Sequence, residues 1–154
     1  MKTTQIPLFQ AVGEVTLHYT KNNIIIPEMV ITSPHQAYIA FKQIFDINTI
    51  EHREYVYALF LNRSSHVLGY AQISAGSVSG TLCDPKIVFQ LALRLNASAL
   101  VLAHNHPSGG LEASISDKTL TQKITEGGKL LDISLLDHLI ITTQDYSSVC
   151  NIDS

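Results

Sequence analysis

Leu95-Asn96-Ala97-Ser98-Ala99-Leu100-Val101-Leu102 runs into Ala103-His104-Asn105-His106, then Pro107-Ser108-Gly109-Gly110, and shortly afterwards Ser114 and Asp117. The first eight residues read as a buried strand. Successive strand side chains point to opposite faces, so His104 and His106 share one face while Asn105 points away. Pro107 ends the ladder, and Gly109-Gly110 permit a sharp turn. Ser114-Ile115-Ser116-Asp117-Lys118-Thr119-Leu120 then opens a helix. A buried strand, a tight turn and a helix in this order mark an α/β unit.

The spacing also carries chemistry. If the helix begins beside the strand end, the Asp117 carboxylate meets two imidazoles. Two neutral imidazoles and one carboxylate fill three positions of a tetrahedral divalent ion and leave the fourth to water, the mark of a catalytic site. Zinc in such a site lowers the pKa of its water from about 15.7 to about 7. Ser114-x-x-Asp117 is equally a capping box, and a helix start accommodates both roles. Two His and one carboxylate also describe the facial triad of non-haem iron enzymes, so the residues alone leave the metal open.

Working outward, the remaining elements alternate. Residues 1–32 form an N-terminal extension in which Val15, Leu17 and Tyr19 alternate with polar neighbours as a short strand. Residues 33–154 form one domain. Ser33-Pro34 caps a helix running to about Phe45, with Ala37, Tyr38, Phe41, Ile44 and Phe45 on its core face. Tyr55 to Leu61 is an apolar run expected as a strand buried on both sides. Asn62-Arg63-Ser64-Ser65 turns it into a hairpin with His66 to Ser74. Ser77 to Thr81 reads as a loop. Asp84-Pro85 repeats the cap, opening a helix with Ile87, Val88, Leu91, Ala92 and Leu95 along one stripe. The helix after Ser114 is expected to stop near Gly127-Gly128, and Ile133 to Thr142 is the last strand. The order predicts a single α/β domain with a central mixed β-sheet flanked by helices.

Composition narrows the partners. The chain has 154 residues, 10 Lys plus Arg against 13 Asp plus Glu, and a net charge of −3. Without a basic stripe, nucleic acid is disfavoured as a partner. Cys83 and Cys150 lie outside any CxxC pattern and read as reduced thiols. The first residues lack the apolar core of a secretory signal, and no apolar run reaches bilayer length. A cytoplasmic protein is the expectation.

With these residues in view, the chain resembles the RadC-like bacterial branch of the JAMM (MPN+, JAB) metallopeptidases. Ala103-His104-Asn105-His106-Pro107-Ser108-Gly109 carries the resemblance. It extends over about residues 33 to 149 through Arg53-Glu54, Leu61-Asn62, Ser77-Val78-Ser79-Gly80-Thr81, Asp84-Pro85-Lys86 and Leu136-Asp137-His138-Leu139-Ile140. The resemblance implies a JAB/MPN fold of the cytidine-deaminase-like kind. It also implies zinc (Zn2+) held by His104, His106 and Asp117, with Glu54 acting on the bound water and Ser114 steadying the tetrahedral intermediate. An acid at a strand start is ordinarily a solvated surface group, and it is the resemblance that selects Glu54 over Glu51. The implied reaction is hydrolysis of peptide or isopeptide bonds in a peptide or protein substrate.

Two departures are visible. Ala113 stands where relatives usually have Pro, and the helix-hairpin-helix segment that precedes this domain in longer relatives is absent here. The second puts a DNA-related role inherited from the longer relatives in doubt; a non-catalytic or DNA-repair-associated accessory protein, suggested by the association of RadC-like proteins with DNA repair, is the alternative reading. His138 is open between a partner of the metal ligands and a packed strand His paired with Asp137. His18, His35, His52 and His66 read as surface residues.

Overall fold

Local signals start most of the elements. In the computed structural model, which describes residues 16, 30–76 and 83–150, Ser33 caps helix α1 (Pro34–Lys42) by accepting from Gln36 N. Strand β1 (Tyr55–Leu61) turns back into β2 (Val67–Ala75), with Asn62 Oδ1 accepting from the amides of Ser64 and His66 in the turn. Asp84 caps α2 (Pro85–Arg94) by accepting from Lys86 N. There follow β3 (Ala99–Asn105), α3 (Ile115–Leu131), β4 (Ser134–Ile141) and a short β5 (Tyr146–Ser148).

The five strands form one sheet in the order β2-β1-β3-β4-β5. β3 runs parallel to β4 and every other pairing is antiparallel, so the sheet is mixed, as expected. The parallel pair needs a crossover, and α3 supplies it. β3 lies in the middle, and all seven of its residues are buried, as an unbroken apolar run demands.

Its alternation feeds two cores. Ala99, Val101 and Ala103 face the side covered by α1, with Phe41 and Leu139. Leu100 and Leu102 face the side covered by α2 and α3, with Phe60, Val88 and Ile124. His104 continues the second set and Asn105 the first.

Several boundaries differ from expectation, each for a local reason. Leu95 to Ser98 is not strand: Leu95 closes α2, Asn96 turns the chain at φ 50°, and Ala97 N donates to Ala92 O. α1 ends at Lys42, although Phe45 N still donates to Phe41 O and the Phe45 ring is buried. Ile87 is 40% exposed, so the α2 stripe narrows to Val88 and Ala92 with Leu91 and Leu95 beside them. β5 was unforeseen because three residues carry no readable alternation. The expected strand at residues 15–20 and the loop 77–81 lie outside the described residues, Thr16 alone excepted, which is in no strand.

The helix α3 does not stop at Gly127-Gly128. It continues to Leu131, and Asp132 in the left-handed region (φ 55°, ψ 38°) closes it. The glycines serve packing instead. A Cβ on Gly127 would lie 2.8 Å from Phe89 Cε2, and one on Gly128 would collide with the carbonyl oxygen of Ile133. A ring edge can yield; a backbone carbonyl in a tight connection cannot. Gly128→Ala is therefore expected to cost about 1–3 kcal/mol of stability as overpacking, against a gain of about 1 kcal/mol in helix propensity. Gly127→Ala should be milder. Urea unfolding of both variants checks the order, and an unfolding midpoint for Gly128→Ala at or above the parent's would contradict it.

Candidate metal centre

Three donors meet where β3 ends and α3 begins. His104 is buried on the last turn of the β3 ladder, paired across to Val56 of β1. His106 lies just past the strand, its amide donating to Ile141 O at 3.4 Å, and its Nδ1 lies 2.9 Å from Gly110 O. The Pro107–Gly110 turn, with Gly109 at φ 80°, thus orients the second imidazole as well as reversing the chain. A side chain at Gly109 would be strained in that conformation.

Asp117 reaches the two rings because α3 is capped by a reciprocal pair. Ser114 Oγ accepts from Asp117 N at 3.1 Å, and Asp117 Oδ2 accepts from Ser114 N at 2.8 Å. One carboxylate thus completes the capping box and faces the two imidazoles.

The geometry fits a tetrahedral ion. His104 Nε2 and His106 Nε2 are 2.9 Å apart. His104 Nε2 lies 3.2 Å from Asp117 Oδ1, and His106 Nε2 lies 3.5 Å from Asp117 Oδ2. Bonds of about 2.0–2.1 Å to a tetrahedral zinc imply ligand–ligand edges of about 3.3 Å; the imidazoles approach different oxygens of the carboxylate, and one ligand atom from each residue lies within 4.8 Å of the others. Among the described residues these three form the one group of at least three His, Cys, Asp or Glu able to hold a metal ion.

The electrostatics agree. Burial pushes the Asp117 carboxyl up, but the adjoining imidazoles of His104 and His106 outweigh it and hold the group well below the usual carboxylate range. Asp117 in turn raises the pKa of His106.

Glu54 stands one residue before β1 and lines the same recess as His104 and Asp117, with Val56, Pro85 and Ile115 as apolar walls. Burial raises its pKa, opposed by His104 and His106. Its placement comes from a residue the sequence reading passed over. Asn105, fully buried, accepts from Tyr55 N at 2.7 Å and donates to Ile50 O at 2.6 Å and Arg53 O at 2.9 Å. The side chain that points away from the imidazoles thereby clamps the backbone on either side of Glu54. A buried Asn inside an apolar strand, which must find partners, was the available signal.

Ser114 is exposed at the start of α3, capping the helix with its oxygen while keeping its own hydrogen to donate. His138 is buried and touches His104, with Nε2 2.8 Å from His104 Nδ1. Asp137 does not pair with that ring: its Oδ1 accepts from the His138 amide and from Ser148 Oγ. His35, His52 and His66 are exposed, as expected, and His18 lies outside the described residues. Cys83 and Cys150 are both free. Burial, with Asp84 adding to it, pushes the Cys83 thiol up to about 11, so it stands protonated in the wall of the recess.

Fold and site together define a JAB-type α/β domain with a candidate His-His-Asp metal centre. Residues 31–153 match the family described as "RadC-like JAB domain", and the chain belongs to that family. Among similar proteins is a "UPF0758 protein" of Flavobacterium johnsoniae, 45% identical over 118 residues, covering 77% of this chain and 50% of the relative. Another, from Chlorobaculum parvum, is 37% identical over 64% of this chain and 44% of its own length. The "UPF0758 protein" of Haemophilus influenzae is 33% identical over 92% of this chain and 62% of its own length. The chain thus spans about half the length of the curated relatives it matches.

Two outcomes follow for metal binding. Asp117→Ala removes one donor and the capping partner together, so zinc retained after dialysis should fall from near one equivalent to a small fraction. Protons compete with metal for the imidazoles. Because Asp117 raises the pKa of His106, competition begins above the ordinary value of about 6.5. Apparent zinc affinity is expected to fall as the pH drops from about 8 to about 6 through this imidazole range. Titrations against a chelator at fixed pH values check this, and affinity that is flat across the range would contradict it.

Proposed function

We propose that this domain is a zinc-dependent hydrolase of peptide or isopeptide bonds. The supporting observation is the convergence of His104, His106 and Asp117 within reach of one ion, with a half-buried carboxylate, Glu54, in the same recess. Zinc, when bound there, supplies a Lewis acid and a water acidic enough to be a nucleophile at neutral pH.

The chain's own residues do the rest. His104, His106 and Asp117 would hold the ion beside the recess. Glu54, its pKa raised by burial, is suited to take a proton from the attacking water. As the water oxygen bonds to the carbonyl carbon, the Ser114 hydroxyl donates to the carbonyl oxygen, where negative charge develops. One such donor contributes about 2.7–4 kcal/mol in well-studied cases. When the C–N bond breaks, Glu54 returns the proton to the leaving nitrogen. Val56 and Pro85 give the recess an apolar wall.

A peptide or protein is the proposed substrate, since a net charge of −3 provides no field for a nucleic acid. No helix among the described residues is long and apolar enough to cross a membrane. We place the protein in the cytoplasm, where free Cys83 and Cys150 stay reduced.

Glu54→Gln keeps the side chain's shape and removes the base. Cleavage of peptide and isopeptide substrates by the zinc-loaded variant should drop by about 10²–10⁴, with zinc content unchanged. A variant that turns over like the parent would sink the assignment of Glu54. Loss of both zinc and activity would show a structural role instead.

A further inference from the structure

We propose that His138 and Thr121 form a positioning relay behind His104 that presents its Nε2 lone pair to the metal. The proposal rests on the metal-site reading above and extends it to two residues outside the ligand set.

The contacts form a continuous line. His104 Nδ1 lies 2.8 Å from His138 Nε2. His138 Nδ1 lies 2.7 Å from Thr121 Oγ1. Thr121 Oγ1 in turn lies 2.8 Å from the main-chain carbonyl of Asp117, one helical turn earlier on α3. His138 is fully buried and Thr121 partly so.

Counting hydrogens gives the line a direction. The Asp117 carbonyl can only accept, and in the relay it takes the single Thr121 hydroxyl hydrogen. Thr121 Oγ1 must then accept from His138, which puts the hydrogen of that neutral ring on Nδ1 and its lone pair on Nε2. His138 Nε2 can therefore only accept, so the hydrogen of His104 sits on Nδ1. The remaining lone pair of His104 is on Nε2, the atom that faces His106 and Asp117. The reverse arrangement leaves the Asp117 carbonyl contact unused and places a hydrogen on His104 Nε2, where it blocks coordination.

Fixing the ring of a metal-binding His through its second nitrogen is a general device, usually with a carboxylate or carbonyl as acceptor, and its loss lowers metal affinity about 10–100-fold. Here the acceptor is another imidazole, itself held by a threonine. The relay starts at one ligand and ends on the backbone of another, so α3 carries both Asp117 and the group that sets the tautomer of His104.

The test uses the full chain loaded with zinc alone. Thr121→Val keeps the shape and removes the acceptor, whereas Thr121→Ser keeps the hydroxyl. Expected is a loss of about tenfold or more in zinc affinity for Thr121→Val and for His138→Leu, with Thr121→Ser close to the parent. Nitrogen NMR of the zinc-loaded parent should show hydrogens on Nδ1 of both His104 and His138, and a scalar coupling from His104 Nδ1 to His138 Nε2. A hydrogen on His138 Nε2, or zinc affinity of Thr121→Val equal to that of the parent, would overturn the relay while leaving the hydrolase reading intact. A parent chain that binds no zinc would overturn both. If His138→Leu fails to fold, the threonine pair and the NMR still decide.

Discussion

The reciprocal hydrogen bonds between Ser114 and Asp117 fix the start of α3 and the direction of a carboxylate together. A carboxylate near a helix N-terminus is already favoured by the dipole and the free amides. Here it is also pinned by one of its oxygens, and so has little rotational freedom left to lose on meeting an ion. The two imidazoles are restrained likewise, His106 by the Gly110 carbonyl and His104 by His138. Three donors with little freedom to lose make a preorganised site, and preorganisation lowers the entropic cost of binding.

β3 makes this possible by serving two faces. One face continues from Leu100 and Leu102 into His104; the other continues from Val101 and Ala103 into Asn105. The strand ends as it began, with alternate residues committed to opposite sides, but its last two side chains are polar. Each must satisfy its hydrogen-bonding groups in a buried setting, where an unmet group costs about 1–3 kcal/mol. His104 does so within the site. Asn105 does so against the 50–55 segment, and this second commitment carries Glu54 to the recess.

Much of this was legible in the chain itself. The ligand triad followed from strand alternation plus a capped helix, and the strands β1 and β4 followed from apolar runs of the right length. The glycine pair at 127–128 misled because glycine has two uses, ending helices and admitting close neighbours, and only the position of Phe89 and Ile133 distinguishes them. Leu95–Ser98 misled because its apolar and polar residues alternate as in a strand, while Leu95 closes α2 and Asn96 takes the left-handed turn that follows. The roles of Asn105 and His138 depend on which segments lie across the sheet, and no spacing along the chain reveals that. Glu54 came from the resemblance, since a lone acid before a strand carries no periodic signal.

The candidate ligands lie close together in sequence, from His104 to Asp117, whereas Glu54 arrives from β1, a distant part of the chain. Chain closure costs more as the intervening segment lengthens, here by about 1 kcal/mol for the longer separation. The candidate ion-binding loop can therefore assemble locally as β3 meets α3, while Glu54 joins only when the antiparallel pairing of β1 is complete. Any fluctuation that frays β1 from β3 would separate Glu54 from an otherwise intact candidate ion-binding loop, so the proposed chemistry is tied to the cooperative closing of the whole sheet.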